Sequence, residues 1–244
     1  MVEDAVDFGV SLNMTSNKFR KSVIDKALNF NKQTLLHIYI YQQFLNHYQH
    51  YFLNITEDGI NDPIELQFLE EQFSLYGVKI NFIKIQYDEF EEPITTNRQV
   101  IEWYTSNKGK FTALANKLCD EVFFIIFSNR QLLQTFNLTL SENFNSLKIP
   151  KRQLTNNGKI PRINIPLWVK KSVFHRDKGK CSFCNKDLTN AINPFSKSQY
   201  DHIIPLDLFG VNDPTNIQLL CSSCNLNKKN KNYQVGTKYF QWFN

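Results

Sequence analysis

Residues 200–231 read YDHIIPLDLFGVNDPTNIQLLCSSCNLNKKNK, and they carry the strongest fold signal of the C-terminal part. It contains the second of two Cys-x-x-Cys pairs, Cys221/Cys224, and the first pair, Cys181/Cys184, precedes it. In a reducing cytosol such pairs more often bind a metal than form disulfides. Four thiolates predict one tetrahedral structural Zn²⁺ site, with residues 185–220 as an insertion between the pairs. Two separate metal sites are the alternative.

Secondary-structure signals surround the cysteines. We expect a helix from Pro166 to about Asp177, ended by Gly179 just before the first cysteine pair. Residues 199–205 and 216–220 are short strand candidates, and a last short helix is expected from about residue 222. The C-terminal part is therefore predicted to be a small α+β unit built around the metal.

The run at 200–231, together with WVKKSVFHRDKGKCSFCN at 168–185, resembles the HNH endonucleases, also called ββα-metal or His-Me finger nucleases. The resemblance covers about residues 166–232 and is to the four-cysteine subgroup. It implies a zinc-stabilised ββα-metal domain that hydrolyses phosphodiester bonds. The family often has Gly-Gly where this chain has Phe209-Gly210.

The resemblance also implies roles for single residues. His202 is the expected general base, since a neutral imidazole can accept a proton from water. Asp201 and Asn225 are the expected ligands of a catalytic Mg²⁺ or Mn²⁺, because hard cations prefer oxygen donors. Asn216 resembles the middle family asparagine, which fixes the catalytic loop. Asn225 stands at the last family position, which is often His, so the chain is an HNN variant.

The net charge of +5 is unevenly distributed. Residues 151–244 carry +10 and residues 1–150 carry −5, which predicts that the C-terminal part faces a polyanion, with nucleic acid the leading candidate. The expected phosphate contacts are four lysines around the motif: Lys180, Lys228, Lys229 and Lys231. For each of them, a simple solvent-exposed position is the alternative.

The N-terminal part is predicted to be mainly helical, and no family is recognised for it. Helices are expected at about 16–30, 32–55, 97–106 and 111–137, with another that starts at Asp62-Pro63 and stops at Gly77. Residues 78–87 alternate imperfectly and predict a strand. The apolar run 122–127 is compatible with a buried strand as well as with a helix. Cys119 is expected to be a buried free cysteine.

These observations lead to an α+β chain with three parts. Residues 1–147 are expected to form a mainly helical partner, regulatory or target-recognition domain, 148–165 a Pro- and Asn-Gly-containing linker, and 166–244 the HNH nuclease domain. No apolar run is long enough to span a bilayer, and the acidic N-terminus is unlike a secretory signal, so we expect a cytoplasmic protein without membrane contact.

The expected activity is metal-dependent endonucleolytic cleavage of duplex DNA. The resemblance to stand-alone HNH proteins with an additional domain implies a role in bacterial restriction or anti-phage defence. One HNH site cuts one strand, so a double-strand break needs a homodimer or two encounters. Two alternatives stay open. One is a nucleic-acid-binding zinc module with an inactive nuclease. The other is an interaction protein whose role is defined by a regulatory partner bound to residues 1–147, with the nuclease acting in response to that partner.

Overall fold

The computed structural model describes residues 17–53, 63–90, 93–189, 197–228 and 235–236. Within them lie seven α-helices and two strands: α1 (Asn17–Leu28), α2 (Leu35–Leu53), α3 (Pro63–Leu75), α4 (Asn97–Ser128), α5 (Arg130–Glu142), α6 (Leu167–Arg176), β1 (Ser198–His202), β2 (Ile217–Cys221) and α7 (Ser222–Lys228). Short 3-10 turns lie at Phe144–Leu147, Lys151–Gln153, Leu206–Leu208 and Pro214–Asn216. The predicted α+β class, with helices preceding a small sheet, is confirmed. None of the described helices is long and apolar enough to cross a membrane.

The chain divides into two compact units, and the division differs from the one expected. Residues 1–39 and 123–244 form the first unit, and residues 40–122 form the second. The predicted linker at 148–165 therefore lies inside the first unit. A separate functional role for residues 1–147 stays a prediction.

The second unit is built around an aromatic core. Phe52 stacks on Tyr104 with ring centroids 4.8 Å apart, and Phe111 meets Phe52, Tyr104 and Phe73 edge-on at 5.0–5.3 Å. The start of α3 at Pro63 and the stop at Gly77, whose φ is +61°, follow the predicted signals. Cys119 is buried, as expected.

The strand predicted at 78–87 is wrong. In the described residues this segment makes only an isolated bridge, between Tyr87 and Pro93. Its apolar side chains instead pack, partly buried, against the aromatic core, and they include Val78, Ile80 and Phe82. The alternating pattern thus arises from one-sided packing of an extended segment, without a neighbouring strand.

The helix break predicted between residues 106 and 111 is also wrong, because α4 continues through Gly109. A mid-helix glycine costs about 1 kcal/mol, which the burial of Tyr104 and Phe111 on either side offsets. The break falls instead at Asn129, whose side chain accepts hydrogen bonds from the backbone N–H groups of Gln131 and Leu132 and so caps α5. The run 122–127 is helical, not a strand.

The C-terminal elements lie where the sequence predicted them. Strand β1 pairs antiparallel with β2, so that Asp201 faces Gln218 and His202 faces Ile217 in the register. Helix α6 ends before Gly179, where φ is +64° and an added Cβ would lie 2.6 Å from Thr189. The core beneath the sheet joins α6 to β2 through apolar side chains: Val169, Val173, Leu188, Ile217, Leu219 and Leu220.

Candidate active site and metal centre

The four paired cysteines meet in space. Their sulfur atoms all lie within 4.8 Å of one another, and Cys184 Sγ is 3.8 Å from Cys221 Sγ. A tetrahedron with Zn–S bonds of about 2.3 Å has edges of about 3.8 Å. Four thiols with this spacing fit a zinc ion, so the cluster can serve as a structural zinc site. Because both cysteine pairs belong to one cluster, residues 185–220 form an insertion between them, and two separate metal sites are excluded.

The cysteine cluster also fixes the frame of the site. Cys221 ends β2, and Cys224 lies in the first turn of α7, where its backbone N–H is 3.5 Å from Cys221 Sγ. A metal held there joins the end of the sheet to the start of α7. Three of the four predicted active-site positions lie on β1 and α7, and Asn216 lies in the 3-10 turn directly before β2, so the cluster sets their relative placement.

His202 ends β1 and is 1% exposed. Its Nε2 lies 3.2 Å from Asn212 Oδ1, and its Nδ1 is buried with no hydrogen-bond partner among the described residues. Burial lowers the pKa of His202 to about 4, and the Arg162 guanidinium acts in the same direction. The imidazole is therefore neutral at neutral pH and can accept a proton.

Asn216 holds the loop that follows β1. Its Oδ1 accepts from the backbone N–H of Ile204 at 2.8 Å, and its Nδ2 donates to the carbonyls of Ile204 and Val211 at 3.0 Å each. The side chain is fully buried, and all three of these bonds go to backbone groups. Asn216 thus braces the loop that follows His202.

Gly210 shows why this loop needs a glycine. A Cβ at Gly210 would lie 2.0 Å from the Ile204 carbonyl oxygen. The preceding Phe209 takes a left-handed conformation with φ +61°, where glycine is favoured. Its ring lies 5.1 Å from that of Phe144. Phe209 therefore takes a backbone conformation that glycine adopts more readily, and its ring gains an aromatic contact.

Asp201 precedes His202 and faces α7. Lys228 Nζ donates to Asp201 Oδ2 at 2.7 Å and to the His202 carbonyl at 2.6 Å. The other carboxylate oxygen, Oδ1, has no hydrogen-bond partner among the described residues, and neither has the half-buried Asn225 side chain on α7. A carboxylate and an amide oxygen suit a hard divalent cation, so the donor set fits Mg²⁺ or Mn²⁺.

The predicted phosphate contacts fall into three groups. Lys228 does not fit that role, because its side chain is 1% exposed and its ammonium is used by Asp201 and the His202 carbonyl. Lys180 is half-buried. Lys229 and Lys231 lie outside the described residues. On α6, Lys171 is exposed, and Lys170 places its ammonium 6.0 Å from the centre of the Tyr200 ring.

Two neighbours of the candidate site were missed by sequence reasoning. Asn212 bonds to His202, and Asp213 is fully buried with Oδ1 accepting from the N–H and hydroxyl of Thr215. Burial raises the pKa of the Asp213 carboxyl, whereas its hydrogen bonds act in the opposite direction. In the sequence, Asn-Asp-Pro at 212–214 has the composition of an ordinary turn. The only local signal was Asp213 before Pro214, which is typical of a helix cap.

This geometry agrees with a comparison to known families. Residues 181–231 match the HNH endonuclease family. The matched range begins at the first cysteine and includes β1, β2 and α7. The C-terminal part thus carries an HNH endonuclease domain, which supports a nuclease-type function. No curated protein and no solved structure matches the chain.

Proposed function

We propose that the protein is a metal-dependent HNH endonuclease that hydrolyses phosphodiester bonds of DNA. The observation that carries the proposal is the buried, neutral His202, with one ring nitrogen bonded to Asn212 and the other without a partner in the described residues. Such a nitrogen can take the proton of an attacking water. The water oxygen bonds to phosphorus, one ester P–O bond breaks, and the leaving oxygen takes a proton from solvent.

Asp201 Oδ1 and the Asn225 amide oxygen are the groups that would hold the catalytic Mg²⁺ or Mn²⁺. When bound, such an ion neutralises charge on the phosphate and on the leaving oxygen. Lys228 keeps the opposite oxygen of Asp201 bonded, which fixes the direction in which Oδ1 is presented. The four cysteines would hold Zn²⁺ separately, for stability.

The charge asymmetry supports DNA as the substrate. The +10 charge of residues 151–244 supplies phosphate contacts that do not depend on base sequence. Lys171 on α6 and Lys180 are the described lysines that we assign to this task. One active site cuts one strand of a duplex. We therefore assign double-strand cleavage to a homodimer or to two successive encounters of the protein with the DNA. Target choice, or control by a protein partner, is assigned to residues 1–147.

In the cell, we place this activity in the cytoplasm and in restriction or anti-phage defence. The support is the resemblance to stand-alone HNH proteins with an additional domain. Bacteria that express the wild-type chain should then lower phage plating efficiency, whereas the His202→Ala variant should not. Equal plating with both variants would contradict the defence role and leave the chemistry to be judged by the cleavage assay.

A second candidate is a nucleic-acid-binding zinc module without nuclease activity. The ion pair between Lys228 and Asp201 favours it, because an ammonium already neutralises the carboxylate expected to bind the catalytic cation. Mn²⁺ binding separates the two candidates without any activity measurement. The nuclease predicts one Mn²⁺ bound by the zinc-loaded wild type, seen by electron paramagnetic resonance, and none by Asp201→Asn. The zinc module predicts no difference.

The deciding experiment is plasmid cleavage by the full chain with Mg²⁺, with Mn²⁺ and with neither. We expect metal-dependent cleavage by the wild type and a rate lower by about 10²–10⁴-fold for His202→Ala. His175→Ala is the matched control, because His175 is an exposed histidine on α6 in the same unit. DNA binding should be unchanged in both variants. Equal cleavage by the wild type and His202→Ala would overturn the assignment.

A further inference from the structure

The loop between β1 and β2 is held by a part of the chain far away in sequence. The backbone N–H of Asn212 donates to the Ala27 carbonyl at 2.9 Å, and its Nδ2 donates to the Leu28 carbonyl at 3.0 Å. Both carbonyls belong to the last turn of α1, where they have no partner within the helix. Asn212 thus satisfies the end of α1.

The next residue does the same for the start of α2. Asp213 Oδ2 accepts from the backbone N–H of Leu35, the first residue of α2, at 2.8 Å. A carboxylate at a helix N-terminus and donors at a helix C-terminus both match the helix dipoles. The end of α1 and the start of α2 therefore hold residues 212–213 from both sides, and all five residues in these contacts lie in the same compact unit.

These contacts determine the orientation of the Asn212 amide. Its Nδ2 has two hydrogens, and both have carbonyl acceptors: Leu28 at 3.0 Å and Pro161 at 2.9 Å. The amide cannot be turned round without placing its oxygen against two carbonyl oxygens. Oδ1 must therefore face His202 Nε2, and this nitrogen must carry the hydrogen. The lone pair is then on Nδ1.

We propose that Asn212 is a positioning residue that holds His202 in the Nε2–H tautomer. The backbone carbonyls of Leu28 and Pro161 orient the Asn212 amide for this purpose. The proposal rests on the proposed nuclease function only for its catalytic consequence. Without Asn212, nothing among the described side chains selects between the two tautomers, and Nδ1 loses its fixed lone pair. Groups that orient metal-binding histidines are typically worth about 10–100-fold in activity, and we expect an effect of the same order for a group that orients His202.

The test uses the full zinc-loaded chain and reads the tautomer directly. Two-bond ¹H–¹⁵N correlation spectra distinguish Nε2–H from Nδ1–H imidazoles, and the His202→Ala spectrum assigns the signal. We expect wild-type His202 to be the Nε2–H form and Asn212→Ala to show a mixture. A wild-type Nδ1–H signal would overturn the proposal even if no variant folded.

Asn137→Ala is the matched control. Asn137 is also a buried asparagine of this unit, and its Nδ2 donates to the Leu133 carbonyl and to Thr215 Oγ1, on the same loop. It should destabilise the fold comparably but leave the His202 tautomer unchanged. A tautomer change of equal size in Asn137→Ala would assign the effect to loop packing and contradict a positioning role.

Single-turnover cleavage gives the catalytic consequence. We expect Asn212→Ala to lower the rate by about 10–100-fold with DNA affinity unchanged. A full rate in a variant with a mixed tautomer would overturn the catalytic part of the proposal. If the wild type does not cleave, the nuclease assignment fails, and the tautomer spectra still decide the role of Asn212.

Discussion

The interiors of the two compact units differ in chemistry. In the described part of residues 40–122 the buried side chains are apolar or aromatic, with no buried amide or charged group. The other unit contains every buried polar or charged residue described: Thr34, Arg130, Asn137, Asp177, Ser182, His202, Asn212, Asp213, Thr215, Asn216, Gln218 and Lys228. Burying such groups is costly unless each is bonded. The polar interior therefore carries a stability cost that the apolar interior of residues 40–122 avoids.

The two interiors should also fail differently. Aromatic packing is non-directional and depends on volume, so that loss of one ring weakens the unit by an amount set by the cavity. Hydrogen-bonded interiors depend on exact partners, because one missing partner leaves another group unsatisfied. Three variants test this contrast and a fourth compares the surfaces of the two units, in order of decreasing effect.

Removing the zinc should have the largest effect. Structural Zn²⁺ sites are worth about 10 kcal/mol or more, so Cys221→Ser should lose the metal and open β2 and α7. Native mass spectrometry gives the zinc content, and hydrogen exchange locates the opening. Cys119→Ser is the matched control, since Cys119 is buried in the other unit. Retention of one zinc by Cys221→Ser would contradict the four-cysteine site.

Phe111→Ala should have the next largest effect, and it should be confined to the second unit. Phe111 is 1% exposed and contacts several rings of the aromatic core. Its truncation should cost about 3–5 kcal/mol of unfolding free energy, measured by urea titration. Zinc content should not change. Phe124→Ala, at a ring that is 68% exposed, should cost little, and an equal loss there would contradict the cavity explanation.

Asn216→Ala should act by a different mechanism at a smaller cost. The variant removes three hydrogen bonds and leaves the Ile204 amide and carbonyl and the Val211 carbonyl without that partner. We expect a loss of about 2–3 kcal/mol in unfolding free energy. The exposed Asn227 on α7 provides the control substitution. Asn216→Asp should not rescue stability, because a carboxylate cannot donate to two carbonyls. Full stability of Asn216→Asp would contradict this account.

Sequence reasoning succeeded where the partners are close in sequence or carry a strong chemical signature. Two Cys-x-x-Cys pairs are a strong signal for one zinc site, and the four cysteines do cluster. Asp201 and His202 lie at the end of β1, fewer than 30 residues before the end of α7. The hydrogen bonds of Asn216 are also local, since those to Ile204 and Val211 span 12 and 5 residues.

The parts that were missed depend on distant partners. Asn212 bonds to carbonyls 184 and 51 residues away, and backbone carbonyls carry no sequence signal. The same long-range contact explains why a boundary at 148–165 looked plausible: local composition cannot show that the α1–α2 corner packs on residues 212–213. A fragment of residues 151–244 lacks that corner, so its inactivity would not show inhibition by the N-terminal part.

The smallest expected effect concerns DNA binding by Lys171, an exposed lysine on α6. Lys171→Ala removes one exposed charge of α6, and if that lysine contacts a phosphate, the slope of log affinity against log salt should fall by about 1. Lys110→Ala, at an exposed lysine of the second unit, is the control, and the acidic balance of residues 1–150 predicts no change there. Fluorescence anisotropy at several salt concentrations measures both slopes. Equal slope changes would mean that DNA contacts both units, which would contradict the assignment of the nucleic-acid surface to the basic, polar-cored unit alone.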